Sequence, residues 1–190
     1  MREGGLVQIA LFAALVAALG LLPPLPFLFG VPLTAQSLGV MLTGVLLGPR
    51  RAFLALALFL FAVALGAPLL SGGRGGLGVF AGPTAGFALG FAPAAAATGY
   101  LMQALHRLPV FGAALLASLG GGVLVLYACG IPGLHWTTGM EWAAASRAVL
   151  VFVPGDLLKA VLTAFIARGL ARGLVRPEGN PHPDRLPPAP

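Results

Sequence analysis

Four long stretches of this chain carry no formal charge: Gly4 to Pro49, Ala52 to Gly73, Gly75 to His106 and Leu108 to Met140. Only Arg50, Arg51, Arg74 and Arg107 separate them. A hydrocarbon core about 30 Å thick is crossed by roughly 20 apolar residues in a helix. The first stretch therefore holds two crossings, with Pro23-Pro24-Leu25-Pro26 as the break. Leu, Ala, Val and Phe follow one another without polar alternation, which argues for helices and against a membrane β-barrel. Of the 190 residues 58% are apolar and 8% charged, against about a quarter charged in a soluble domain, so a water-soluble enzyme is excluded.

The expected architecture is all-α, with six membrane spans in residues 1–175: Leu6 to Leu22, Leu33 to Leu47, Ala52 to Ala67, Pro83 to Met102, Phe111 to Cys129 and Arg147 to Ala167. With the N-terminus on one side, that side receives Arg2, Arg50, Arg51, Arg107, Arg168, Arg172, Arg176 and Arg185. The other receives only Arg74 and Arg147. By the positive-inside rule both termini are cytoplasmic, and the loops Pro23 to Pro32, Leu69 to Gly82 and Gly130 to Ser146 face outward. The first apolar run, of about 17 residues, is long for a cleaved signal sequence. Arg176 to Pro190 contains six prolines and reads as a disordered cytoplasmic tail, 176–190.

The net charge of +6 forms no continuous basic patch and accompanies no nucleic-acid motif, so it is read as a topology signal and no nucleic-acid partner is expected. One cysteine, Cys129, precludes an internal disulfide and any Cys/His metal spacing; it is read as a small packing residue. Without a GxxxxGK[ST] sequence the chain does not hydrolyse ATP. Ser37, Ser71, Ser118 and Ser146 lack a plausible His partner, which argues against an intramembrane serine protease.

Chemistry concentrates in the last apolar run. Lys159 is the only lysine, and Asp156 the only aspartate outside the tail. A spacing of three puts them on one helix face. Intramembrane charges face a cavity or a partner, because exposure to lipid costs several kcal/mol. Pro154-Gly155 just before them either kinks a helix or occupies the first turn of one that starts there. In both cases the polar atoms point at a pocket.

Ser71-Gly72-Gly73-Arg74-Gly75-Gly76-Leu77-Gly78 holds a formal GxGxxG match, but it joins two membrane spans rather than a strand and a helix, so it is no dinucleotide fingerprint. Its glycines allow the amides of Gly75 and Gly76 to converge on a small ligand beside Arg74. Gly82, Gly86 and Gly90 recur every four residues as a packing face. Ala10, Ala14 and Ala18 do the same on the first span, for packing within the chain or docking between chains. Trp136 and Trp142 either anchor a loop at the headgroups or wall a ligand.

Three motifs in order resemble the BioY family, the biotin-binding S components of energy-coupling factor (ECF) transporters. They are Val31-Pro32-Leu33-Thr34-Ala35-Gln36; Gly72 to Val79 running into Gly82-Pro83-Thr84-Ala85-Gly86; and Val153-Pro154-Gly155-Asp156-Leu157-Leu158-Lys159-Ala160. The resemblance covers all but the tail. It implies a six-helix S-component fold in the cytoplasmic membrane that captures biotin tightly from outside and, docked on a transmembrane coupling protein with two ATPase subunits, hands it inward. ATP is then used by those partners and no cofactor is expected in this chain. Ala10, Ala14 and Ala18 are similar to the docking helix of such components.

Biotin offers two ureido N–H donors, a ureido carbonyl, an apolar sulfur ring and a carboxylate tail. Asp156 is the expected acceptor for the ureido N–H groups; Lys159 donates to the ureido carbonyl or neutralises the carboxylate, and Arg74 or the loop amides take the other end. Gln36 and Thr84 are further contributors, each with the alternative of satisfying local backbone. An ion- or proton-coupled transporter with Asp156 and Lys159 as a relay, and a purely structural membrane subunit, are the competing readings.

Overall fold

A computed structural model describes residues 3–22, 25–26 and 32–174 of the chain. The tail expected over 176–190, with Arg176 and Arg185, lies outside the described residues, as does Arg2.

Eleven of the 20 residues between Ala85 and Ala104 are Ala or Gly, and a helix so thin lets neighbours approach on several sides. This helix, α4, packs against α2 (Gln36–Leu47), α3 (Pro49–Ala64) and the rod that follows it. A Cβ at Gly44 or Gly121 would collide with Thr98 of α4, and one at Gly99 would sit 2.6 Å from Gly48 and Pro49. The rod runs from Val110 to Thr138 as α5 (Val110–Ala117), a π-helical stretch (Ser118–Val125) and α6 (Leu126–Thr138). Glycines 120–122 lie in the π stretch and seat it on Leu101, Thr98 and Met41. The other elements are α1 (Glu3–Leu21), α7 (Trp142–Leu150), α8 (Val153–Leu174) and a two-pair antiparallel ladder, Leu25–Pro26 with Pro32–Leu33.

Among the described residues the regular structure is helical apart from that ladder and an isolated bridge between Leu70 and Arg74. By length and composition, and among the described residues, Gly4–Leu21, Ala85–Ala104 and Val110–Thr138 are each sufficient to cross a bilayer. Trp142–Leu150 with Val153–Arg172 adds a fourth only when this pair, bent by 50°, is counted as one span. α2 and α3 are shorter, at 12 and 16 residues.

The helix ends sort the arginines. Arg51 donates to Gln8 of α1 at 2.9 Å, and Gly99, late in α4, meets the α2–α3 junction, so these ends lie together. Arg50, Arg51, Arg107, Arg168 and Arg172 gather at this end of the bundle, while Arg74 lies in the loop at the other.

Two expectations change. The stretch from Gly130 to Ser146 is not an irregular loop: α6 continues through Gly130, Pro132 and Gly133, and α7 begins at Trp142. These glycines pack rather than bend. Gly133 lies against Gly86 of α4, and Gly130 makes room for the Phe87 ring. The connection is confined to Gly139, Met140 and Glu141, with Gly139 left-handed at φ +72°. Of the expected glycine face, Gly86 and Gly90 pack on α6, the latter over Cys129, but Gly82 precedes the helix.

Candidate functional site

α8 begins at Val153, so Pro154 occupies its first turn, where a missing N–H costs nothing, and Asp156 falls in that turn as well. The break between α7 and α8 lets the start of α8 lie inside the bundle, beside the start of α2. Four side chains meet there. Lys159 Nζ lies 2.9 Å from Asp156 Oδ1 and donates to Ser37 Oγ at 2.8 Å. Ser37 Oγ donates to Asp156 Oδ1 at 3.1 Å, and Tyr127 of α6 donates to Oδ2 at 2.7 Å. Asp156 is 5% exposed, so a buried carboxylate is matched by one half-buried cation and two hydroxyls. The N-terminal poles of α2 and α8 add to its stabilisation.

This cluster forms one end of a cavity of about 300 Å³. Apolar walls come from Phe87 and Phe91, four apart on α4, with Leu126, Leu134 and Phe152. The Phe87 and Phe152 rings meet edge to face at 6.1 Å. Arg74, which is exposed, and Thr84 line the same cavity. Arg74 Nη1 donates to Thr84 Oγ1 at 3.0 Å, and Nε donates to the Ser71 carbonyl at 3.2 Å. Leu70 and Arg74 exchange backbone hydrogen bonds across a turn in which Gly72 and Gly73 have φ of +80° and +68°. Only glycine adopts those angles without strain, so the turn that fixes Arg74 depends on them.

Among the expected site residues, Asp156, Lys159, Arg74, Gln36 and Thr84 all line this cavity. Gly75 and Gly76 do not; Gly76 N–H donates to the Val63 carbonyl at 2.8 Å, which anchors the loop on α3. Gln36, 2% exposed, has both ends engaged with backbone. Its Nε2 donates to Leu69 at 3.0 Å and to Val16 at 3.4 Å, while Oε1 accepts from Ser71 N–H at 2.9 Å. It ties α1, α2 and the Arg74 loop together. Trp136 and Trp142 line no part of the cavity; Trp142 stacks on His135 at 4.3 Å. Ala10, Ala14 and Ala18 are exposed along the outer face of α1.

Ser37 and Tyr127 were not singled out as ligand-site residues from sequence. An isolated hydroxyl carries no spacing signal, and only the packing of α2 and α6 on α8 brings these two to Asp156.

In formal charge the cavity holds Arg74 and Lys159 against Asp156, a surplus of one positive charge. With a buried polar cluster, an exposed arginine and aromatic walls, it suits a small monoanion with a hydrogen-bonding head.

The family model described as the BioY family matches residues 1–176. The chain is 47% identical over 180 residues to a biotin transporter BioY of Rhodobacter capsulatus, covering 90% of this chain and 94% of that one. It is 48% identical over 179 residues to a biotin transporter BioY of Rhizobium etli, covering 91% and 96%. It is also similar to the crystal structure of the S-component for biotin from an ECF-type ABC transporter, with TM-score 0.82, 30% identity, and 90% of this chain and 95% of that one covered.

Proposed function

This chain belongs to the BioY family, and from that premise we propose that it is the biotin-binding S component of an ECF-type transporter in the cytoplasmic membrane. The observation that carries the proposal is one cavity lined both by the buried Asp156–Lys159–Ser37–Tyr127 cluster and by the exposed Arg74. Lys159 has three N–H donors, two of them engaged with Ser37 and Asp156; the third is free for the ureido carbonyl. Asp156 accepts three hydrogen bonds and, with about four lone-pair sites, has one left for a ureido N–H.

The fused rings then lie among Phe87, Phe91 and Phe152, and the carboxylate reaches Arg74, whose Nη2 has no partner among the described residues. This orientation follows from charge. The Lys159 cation is already matched by Asp156, whereas Arg74 lacks an acidic partner among the described residues.

Transport adds partners. The exposed Ala10, Ala14 and Ala18 face lets a helix of a transmembrane coupling protein approach closely. Two ATPase subunits on that protein supply the energy. The arginine-rich end of the bundle faces the cytoplasm, which puts the Arg74 loop on the outer side where biotin enters.

The test is binding by the purified chain without partners, ATP or an ion gradient. Saturable binding of biotin under these conditions supports an S component; a flux that requires a pH or ion gradient and no ATPase would replace it with the coupled-transporter reading.

A further inference from the structure

A second and larger hollow, about 730 Å³, lies at the opposite end of the molecule, between the start of α5 and the end of α8. One wall is Val110, Phe111 and Gly112; the other is Ala171 flanked by Arg168 and Arg172. The two arginines, four apart, project from one face of α8 about 6 Å apart in rise. Both are exposed, and neither has an acidic partner among the described residues. Phe111 is held in place by an edge-to-face contact with Phe165 of α8, ring centroids 5.0 Å apart. A Cβ built at Gly112 meets nothing, so the floor is open. The first turn of the rod that begins at Val110 lines the same hollow, and its positive pole adds to the arginine charge.

We propose that this groove binds one anionic phospholipid, with the headgroup phosphate between Arg168 and Arg172 and an acyl chain along Val110 and Phe111. Charge decides the occupant. Two unneutralised guanidiniums beside an apolar wall match a ligand that is anionic at one end and aliphatic at the other, and guanidinium engages phosphate bidentately. The groove also lies at the end of the bundle where Arg50, Arg51 and Arg107 gather, the headgroup level of the leaflet such basic ends face. The site is separate from the biotin cavity and does not depend on that reading.

The test uses the full-length chain in detergent, with phosphatidylglycerol and phosphatidylcholine of identical acyl chains, read by native mass spectrometry and thermal unfolding. The expected result is retention of phosphatidylglycerol over phosphatidylcholine by roughly thirtyfold, two arginines each adding about fivefold at the surface. The variant R168Q/R172Q loses that preference and the accompanying rise in Tm while its lipid-free Tm stays at the parent value, showing that it is folded. Equal retention of the two lipids, or an undiminished preference in the variant, overturns the proposal. So does an equal rise in Tm with glycerol phosphate alone, which would make this a free-phosphate site. Loss of the ATPase subunits from the assembled transporter by R168Q/R172Q, with lipid preference intact, would make it a protein-docking surface instead.

Discussion

Ser37 of α2 and Asp156 of α8, 119 positions apart in the chain, meet at 3.1 Å through Oγ and Oδ1. That contact joins the start of one helix to the start of another inside the bundle, and with Tyr127 it leaves Asp156 held from three helices. Rotation of the carboxylate would break at least one of these bonds.

Removing either hydroxyl frees the carboxylate to turn. Ser37→Ala and Tyr127→Phe are each expected to weaken biotin about tenfold, the loss of one hydrogen bond to a charged group at about 1.5 kcal/mol. Titration of the purified variants checks this, and parent-like affinity in both would remove the cluster from the binding mechanism.

Arg74 supplies the unmatched positive charge. Arg74→Gln is expected to weaken biotin while leaving its methyl ester, already a poor ligand of the parent, nearly unaffected. The comparison of acid and ester in parent and variant tests the orientation. If the ester loses as much as the acid, the carboxylate does not lie at Arg74.

Gln36 acts on the loop through its carboxamide, which bonds the backbone at Leu69 and Ser71. Gln36→Leu keeps the volume but leaves Ser71 N–H and the Leu69 carbonyl buried without their partner, at about 1–3 kcal/mol for each group. A lower thermal midpoint in detergent is the expected result, with weaker biotin binding as the loop carrying Arg74 loosens. An unchanged midpoint would show that the loop is held by other contacts.

Gly86→Val tests the α4–α6 seam, where an added Cβ sits 2.8 Å from the Gly133 backbone. Overpacking of this kind costs about 1–3 kcal/mol. The variant should unfold at lower temperature, whereas Gly112→Ala, which meets open space, should not.

Ala14→Trp alters the outer face of α1, away from the cavity. Biotin binding by the isolated chain should be unchanged. Uptake by the chain reconstituted with its coupling protein and ATPases should fall; undiminished uptake would move the docking surface elsewhere.

The sequence made some of this site legible and hid the rest for physical reasons. Asp156 and Lys159 stood out because charge is so scarce in an apolar run that the only lysine needs an explanation. Arg74 stood out for the same reason, and its glycine-rich turn marked a backbone that other residues cannot adopt. Ser37 and Tyr127 did not, since their role depends on which helices touch α8. The misread stretch from Gly130 to Ser146 has the same origin. Gly and Pro punctuate a free chain, but Gly133 and Gly130 in α6 are shaped to the surface of α4, and that packing overrides local preference.

Calorimetric titration of biotin into the detergent-purified chain, beside Asp156→Asn and Lys159→Met, tests the central claim most directly. The account predicts tight binding by the parent and at least tenfold weaker binding by each variant, a change of about 1.4 kcal/mol or more. Absence of binding by the parent, or equal affinity in all three proteins, would contradict it.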